Sequence, residues 1–117
     1  MEKIDLLLLR LGAKCESKPY ICLRCMLEVA LKHWPERIPM RQLQVETAER
    51  IGNNIQPGGL SKAASRAVLD IWEYGDREFL NEIYQRNLMD CPTPKNFIYV
   101  ATCYLYASGW RIGVQGI

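Results

Sequence analysis

The sequence predicts an all-α fold. Apolar residues recur at helical spacing along most of the chain, glycines and prolines fall between these stretches where helices would end, and no region is rich in strand-forming alternation. With 117 residues, 49% of them apolar, the chain fits a single domain large enough for a workable core. No internal repeat and no linker divides residues 1–117.

Taken in order, a first helix is expected from about Lys3 to Leu11, its leucines packed inward and Gly12 stopping it. Ser17-Lys18-Pro19 reads as a cap followed by proline in the first turn, opening a second helix through about Lys32. That helix is apolar on most sides, with Arg24 and Glu28 as its polar edge, and is the expected central element. Trp34 to Pro39 is a loop, since its two prolines block continuation.

A helix-turn-helix is expected at about residues 43–74. In Thr47-Ala48-Glu49-Arg50-Ile51-Gly52, Ala48 suits a close helix crossing, and Gly52 suits the left-handed conformation that ends a helix. The turn reads as Asn53 to Gly59, longer than the three to four residues usual for this motif. From about Leu60 the apolar positions Leu60, Ala63, Ala64, Ala67, Val68, Ile71 and Trp72 form the stripe of a core-facing helix. The opposite face opens with Ser61, Lys62, Ser65 and Arg66 and carries no acid before Asp70, a surface suited to a polyanion.

Gly75 closes this helix. Phe79, Leu80, Ile83 and Tyr84 mark a fifth helix over about Arg77 to Asn87. Thr93 and Pro94 then cap and begin a last helix through about Ser108, closed by Gly109, with Trp110 to Ile117 as a docked tail. Tyr99, Cys103 and Tyr106 point away from its core side, which exposes an apolar patch for self-association unless Trp110 and Ile112 cover it.

The net charge of +2 neither demands nor excludes a nucleic-acid partner. No apolar run approaches the ~18 residues of a membrane span, and no leader pattern opens the chain, so a cytoplasmic location is expected. Five cysteines suit reduced thiols better than a disulfide framework. Cys15, Cys22 and Cys25 offer the start of a zinc site, but no second Cys/His pair at zinc-finger spacing follows, and Cys22 and Cys25 also fit an apolar helix face. His33, the single histidine, reads as a helix C-terminal cap. No phosphate-binding loop, nucleophile elbow or metal-binding helix motif stands out, so neither an enzyme nor a cofactor is expected.

Leu11-Gly12, then Lys18-Pro19-Tyr20 and Leu23-Arg24, resembles the opening of a known family, the C-terminal DNA-binding effector domain of the sporulation stage zero A master response regulator. Leu43 through Glu46 to Ala48 is similar to the helix before its turn, and Ala63 through Arg66-Ala67-Val68 to Trp72 and Gly75 to its recognition helix. Pro92-Thr93 with Phe97-Ile98, Val100-Ala101 and Leu105 resembles its last helix. The resemblance spans nearly the whole chain. It implies a bacterial, six-helix regulator of transcription that binds double-stranded promoter DNA, with Ser61, Lys62, Ser65 and Arg66 at the base-facing positions. It further implies contact with RNA polymerase sigma factor, while the separate expectation from the Tyr99, Cys103 and Tyr106 patch is that two copies pair as a homodimer on DNA half-sites one turn apart. The chain departs from the family in its two serines, its longer turn, and Met89, Asp90 and Cys91 in place of lysines. No counterpart of the family's receiver domain stands within residues 1–117, which implies no aspartyl-phosphate switch in this chain. The alternative is a helical protein interaction module that kept the scaffold and lost the groove contacts.

Overall fold

The computed structural model describes residues 3–14, 16–52 and 56–115, the side chains of Pro57 and residues 108–115 excepted. Among these residues the chain forms six helices and no strand: α1 (Lys3–Arg10), α2 (Lys18–His33), α3 (Met40–Ile51), α4 (Pro57–Tyr74), α5 (Arg77–Tyr84) and α6 (Pro94–Gln115). The expected all-α single domain is what is observed.

Local chemistry starts and stops these helices. The Ser17 hydroxyl accepts the Tyr20 N–H at 3.2 Å to open α2, the Asp76 carboxylate accepts the Phe79 N–H at 3.0 Å to open α5, and the Thr93 hydroxyl accepts the Asn96 N–H at 3.2 Å to open α6. At the end of α1 the Gly12 N–H returns to Leu9 O and the Ala13 N–H to Leu8 O, with Gly12 at φ 85°. This is the Schellman closure, and it needs a residue that tolerates positive φ.

Helix α2 is the hub. It packs against α1, α3, α4 and α6, with Leu23, Met26 and Leu27 fully buried. Its polar edge ties three helices together. Arg24 binds Asp5 of α1 through Nε at 2.7 Å and also pairs with Glu28, while Glu28 meets Arg50 of α3 at 3.1 Å. Tyr20 donates its hydroxyl to the same Asp5 carboxylate at 3.0 Å. The Arg24 guanidinium, ahead of the Tyr20 hydrogen bond, holds the Asp5 carboxyl below its usual range.

Gly75 shows how closely the helix ends meet. A Cβ there would lie 2.2 Å from Leu11 O and 2.6 Å from Ile71 O, so only a glycine lets the end of α4 rest on the end of α1. The Asp76 N–H seals the contact by donating to Leu11 O at 2.9 Å.

Several boundaries differ from the sequence expectation. Helix α4 begins at Pro57 rather than near Leu60, which shortens the turn to Gly52–Gln56; proline lacks the N–H that a first turn leaves unused, and Gly58 and Gly59 join that turn. The turn residues Asn53, Asn54 and Ile55 lie outside the described residues. Helix α5 stops at Tyr84 rather than Asn87, because Gln85 enters the left-handed region and the Arg86 N–H closes back on Asn81 O. Helix α6 continues past Gly109 to Gln115, so residues 110–115 extend the helix and form no separate docked tail. Glycine lowers helix propensity by only about 1 kcal/mol and does not by itself end a helix.

Candidate nucleic-acid interface

Helix α4 divides into two faces as its sequence periodicity requires. Leu60, Ala64, Val68 and Ile71 are buried at 2% exposure or less, Ala67 is nearly so, and the helix packs on α2, α3 and α6. Ala63 and Trp72 complete the stripe as half-buried edges. On the other side Lys62, Ser65 and Arg66 are exposed and Ser61 is half-buried. At ~100° per residue the four positions cover about 140° of the helix circumference, so one side of one helix brings all of them together.

Helix α3 lies against both α2 and α4 and holds this face in place. Leu43 and Thr47 are buried beneath it, and Ala48 packs half-buried on the core. Gly52 ends α3 with φ 71° and ψ −146°. The positive φ is as expected, but the pair falls in the region reserved for glycine and not in the left-handed helical well.

The electrostatics of the α4 face run from positive to negative along its axis. The first turn holds no acid, and Gln56 provides no side-chain cap, so the positive end of the helix dipole is unscreened. Gly58 and Gly59 are exposed, with nothing within 4 Å of where a Cβ would stand. Lys62 makes no ion pair among the described residues. Arg66 reaches along the helix to Asp70, Nε to Oδ1 3.5 Å, with its side chain 65% exposed. An exposed i,i+4 pair of this kind contributes only about 0.3–0.5 kcal/mol, so Arg66 is held weakly. The following acidic segment is partly occupied within the fold: Asp76 caps α5, Glu82 faces Arg10 at 3.8 Å, and Arg77 lies over the Trp72 ring at 3.5 Å.

His33 stands at the end of α2 as expected but does not cap it. The Trp34 N–H closes that helix on Ala30 O and Leu31 O, while His33 Nε2 bonds Glu46 Oε1 of α3 at 2.8 Å. That hydrogen bond is the main cause holding the Glu46 carboxyl below its usual range. Cys22 is buried and Cys25 half-buried on the apolar side of α2, and burial pushes both thiols up, away from the thiolate a metal requires. Among the described residues no three His, Cys, Asp or Glu side chains gather to hold a metal; Cys15 lies outside them.

The patch expected on α6 is covered from an unforeseen direction. The Trp34 ring lies 5.6 Å from that of Tyr99 and 6.2 Å from that of Tyr106, and Arg37 stacks over Tyr99 at 4.0 Å. Cys103 and about half of Tyr106 remain exposed. The side chains of Trp110 and Ile112 lie outside the described residues. No described helix is long and apolar enough to cross a membrane.

Comparison with known protein families, with curated proteins and with solved structures finds no match to any of them.

Proposed function

We propose that this chain is a sequence-specific, non-catalytic DNA-binding regulator of transcription, built on the plan of the sporulation stage zero A effector domain. In this reading α3 and α4 are the helix-turn-helix, and the amino-terminal half of α4 is the reader. The observation that carries it is the division of α4 into a buried stripe and an open half-face bearing Lys62, Ser65 and Arg66 with no acid before Asp70. A helix so held can enter the major groove by its leading half, the docking geometry of helix-turn-helix proteins.

The side chains divide the work by chemistry. Arg66 presents a fork to guanine O6 and N7, a contact of about 1–3 kcal/mol in discrimination that outweighs its loose pairing with Asp70. Lys62 meets a phosphate, and Ser61 and Ser65 offer hydroxyls to base edges. The open first turn, without Cβ atoms at positions 58 and 59, admits a phosphate to the helix start. Sigma factor contact and pairing of two copies on half-sites belong to the same proposal, and the surfaces for them lie off the reading face. Its setting is the bacterial cytoplasm.

Selection of bound duplexes from a random pool, followed by anisotropy titrations at several salt concentrations, tests the reading. Arg66→Ala is expected to cost about 1–3 kcal/mol on the selected site and to relax one base pair. Lys62→Ala is expected to weaken all sequences alike and lower the salt slope by about one. An unchanged affinity in the double variant removes α4 as the reader. The interaction-module reading then takes its place, favoured by Tyr74 at 72% and Met89 at 86% exposure.

A further inference from the structure

A cavity of about 400 Å³ opens between the end of α2, the 34–39 segment, the start of α3 and the first turns of α6. It lies near the lower end of the ~300–1,000 Å³ typical of binding pockets, room enough to seat one large side chain. Ala30, Ile38 and Met40 form half-buried walls over a floor of Leu43 and Ile98. Trp34 and Tyr99, packed on each other with ring centroids 5.6 Å apart, belong to the wall as one unit. The charged residues of the lining, Arg37, Lys95 and Glu36, are all exposed and stand at its margin. An apolar depression inside a charged margin is the arrangement that receives an aromatic anchor from another protein surface.

This chain carries such an anchor. Tyr74, the last residue of α4, is 72% exposed, with the Lys14 ammonium 5.6 Å from its ring centroid. Glu73, Asp76 and Glu78 are exposed on either side of it in sequence, and Arg77 is turned onto the Trp72 ring. The charges complement those of the cavity: acids outnumber cations around Tyr74, and cations outnumber acids around the depression. The two features also lie toward opposite ends of α2. The Asp76 N–H bonds Leu11 O beside the turn that leads into α2, whereas Ala30 and Trp34 at its far end line the cavity. The 16 residues of α2 span about 24 Å, too far for Tyr74 to enter the cavity of its own chain.

We propose that the occupant of this cavity is a second copy of this chain, Tyr74 of one copy entering the cavity of the next, with Glu73, Asp76 and Glu78 turned toward Arg37 and Lys95, and Lys14 toward Glu36. Unlike patches meet, so the contact is heterologous and adds copies head to tail. It uses neither the exposed face of α4 nor Cys103 and Tyr106 of α6, and it needs no DNA. One ring and a few exposed ion pairs make a transient interface, with Kd on the order of 0.1–1 mM.

The test uses the full chain without DNA, by sedimentation and amide NMR from about 20 µM to about 2 mM, which brackets that constant. The average mass of the wild type is expected to rise with concentration, with shifts centred on Tyr74 and on Ile38 and Met40. Tyr74→Ser, and separately Arg37→Glu combined with Lys95→Glu, are each expected to weaken self-association about tenfold or more. All three side chains are exposed, so both variants are expected to keep the wild-type circular dichroism spectrum. Mixed one to one, the two defective chains are expected to associate with each other, because the first keeps its cavity and the second keeps its Tyr74. The labelled Tyr74→Ser chain then shifts at Ile38, Met40 and the Trp34 indole. A wild type monomeric at about 2 mM, undiminished association of either variant, no association in the mixture, or shifts centred on Cys103 and Tyr106 instead would each overturn the proposal.

Discussion

Replacing Gly75 by alanine should destabilise the fold through one steric conflict. Gly75 has φ −89° and ψ −169°, extended backbone that alanine adopts without strain. The cost therefore comes from space alone. The new Cβ would stand 2.2 Å from Leu11 O and 2.6 Å from Ile71 O, and both are backbone atoms that no rotamer change can move aside. Relief requires the ends of α1 and α4 to separate, which stretches the 2.9 Å bond from Asp76 N–H to Leu11 O and the 2.9 Å bond from Gly75 N–H to Ile71 O. Overpacking of this kind costs about 1–3 kcal/mol, and each weakened hydrogen bond adds about 0.5–1.5 kcal/mol. The sum, roughly 2–6 kcal/mol, is a large share of the ~5–15 kcal/mol that stabilises a typical domain. At roughly 4 °C per kcal/mol for this chain length, Tm should fall by about 8–24 °C. Thermal melts followed by circular dichroism measure it, with Gly58→Ala as the control. Gly58 has open space around it inside a helix, so alanine there should leave Tm unchanged or raise it, by up to about 1 kcal/mol of stability. A Gly75→Ala protein melting within 2 °C of wild type, on the order of half a kcal/mol, refutes the close-contact reasoning.

Three other outcomes are expected. Asp5→Asn removes the carboxylate shared by Arg24 and Tyr20 and should cost on the order of 1–2 kcal/mol near neutral pH. Because the folded-state carboxyl is held below its usual 3.8, that contribution is complete above the unfolded value and fades as pH falls through the folded one. The stability gap between wild type and variant in urea titrations should thus be flat from neutral pH down to about 5 and shrink below about 4; a gap that widens in acid contradicts it. Asp70→Asn releases Arg66 and removes a negative charge beside the proposed reading face, so on that proposal DNA affinity at low salt should rise about two- to fivefold while stability drops by a few tenths of a kcal/mol; weaker binding in anisotropy titrations counts against the proposed face. Gln85→Gly relieves a left-handed residue at φ 57° and should raise stability by about 0.5–1 kcal/mol, read from the urea midpoint.

The sequence by itself determined what depends on neighbours along the chain. Helical periodicity marked the buried stripe of α4 from Leu60 to Ile71, and Ser17, Thr93 and Pro19 marked helix starts, because capping and periodicity involve residues three or four apart. The exposure of Lys62, Ser65 and Arg66 followed from the same period. Where helices stop was less legible: Pro57 and its glycines looked like turn residues, and Gly109 looked like a terminator, since propensity alone does not decide between a weak helix and a loop. Tertiary structure alone decided contacts between residues distant in sequence. The Gly75 approach to Leu11, the pairing of His33 with Glu46, and the Asp5-Arg24-Glu28-Arg50 chain join separate helices, and no local pattern carries their geometry. The same holds for Trp34, which reads in the sequence as a loop residue and in the fold meets Tyr99 and Tyr106 from another helix. That contact exists only because packing brought the end of α2 against α6.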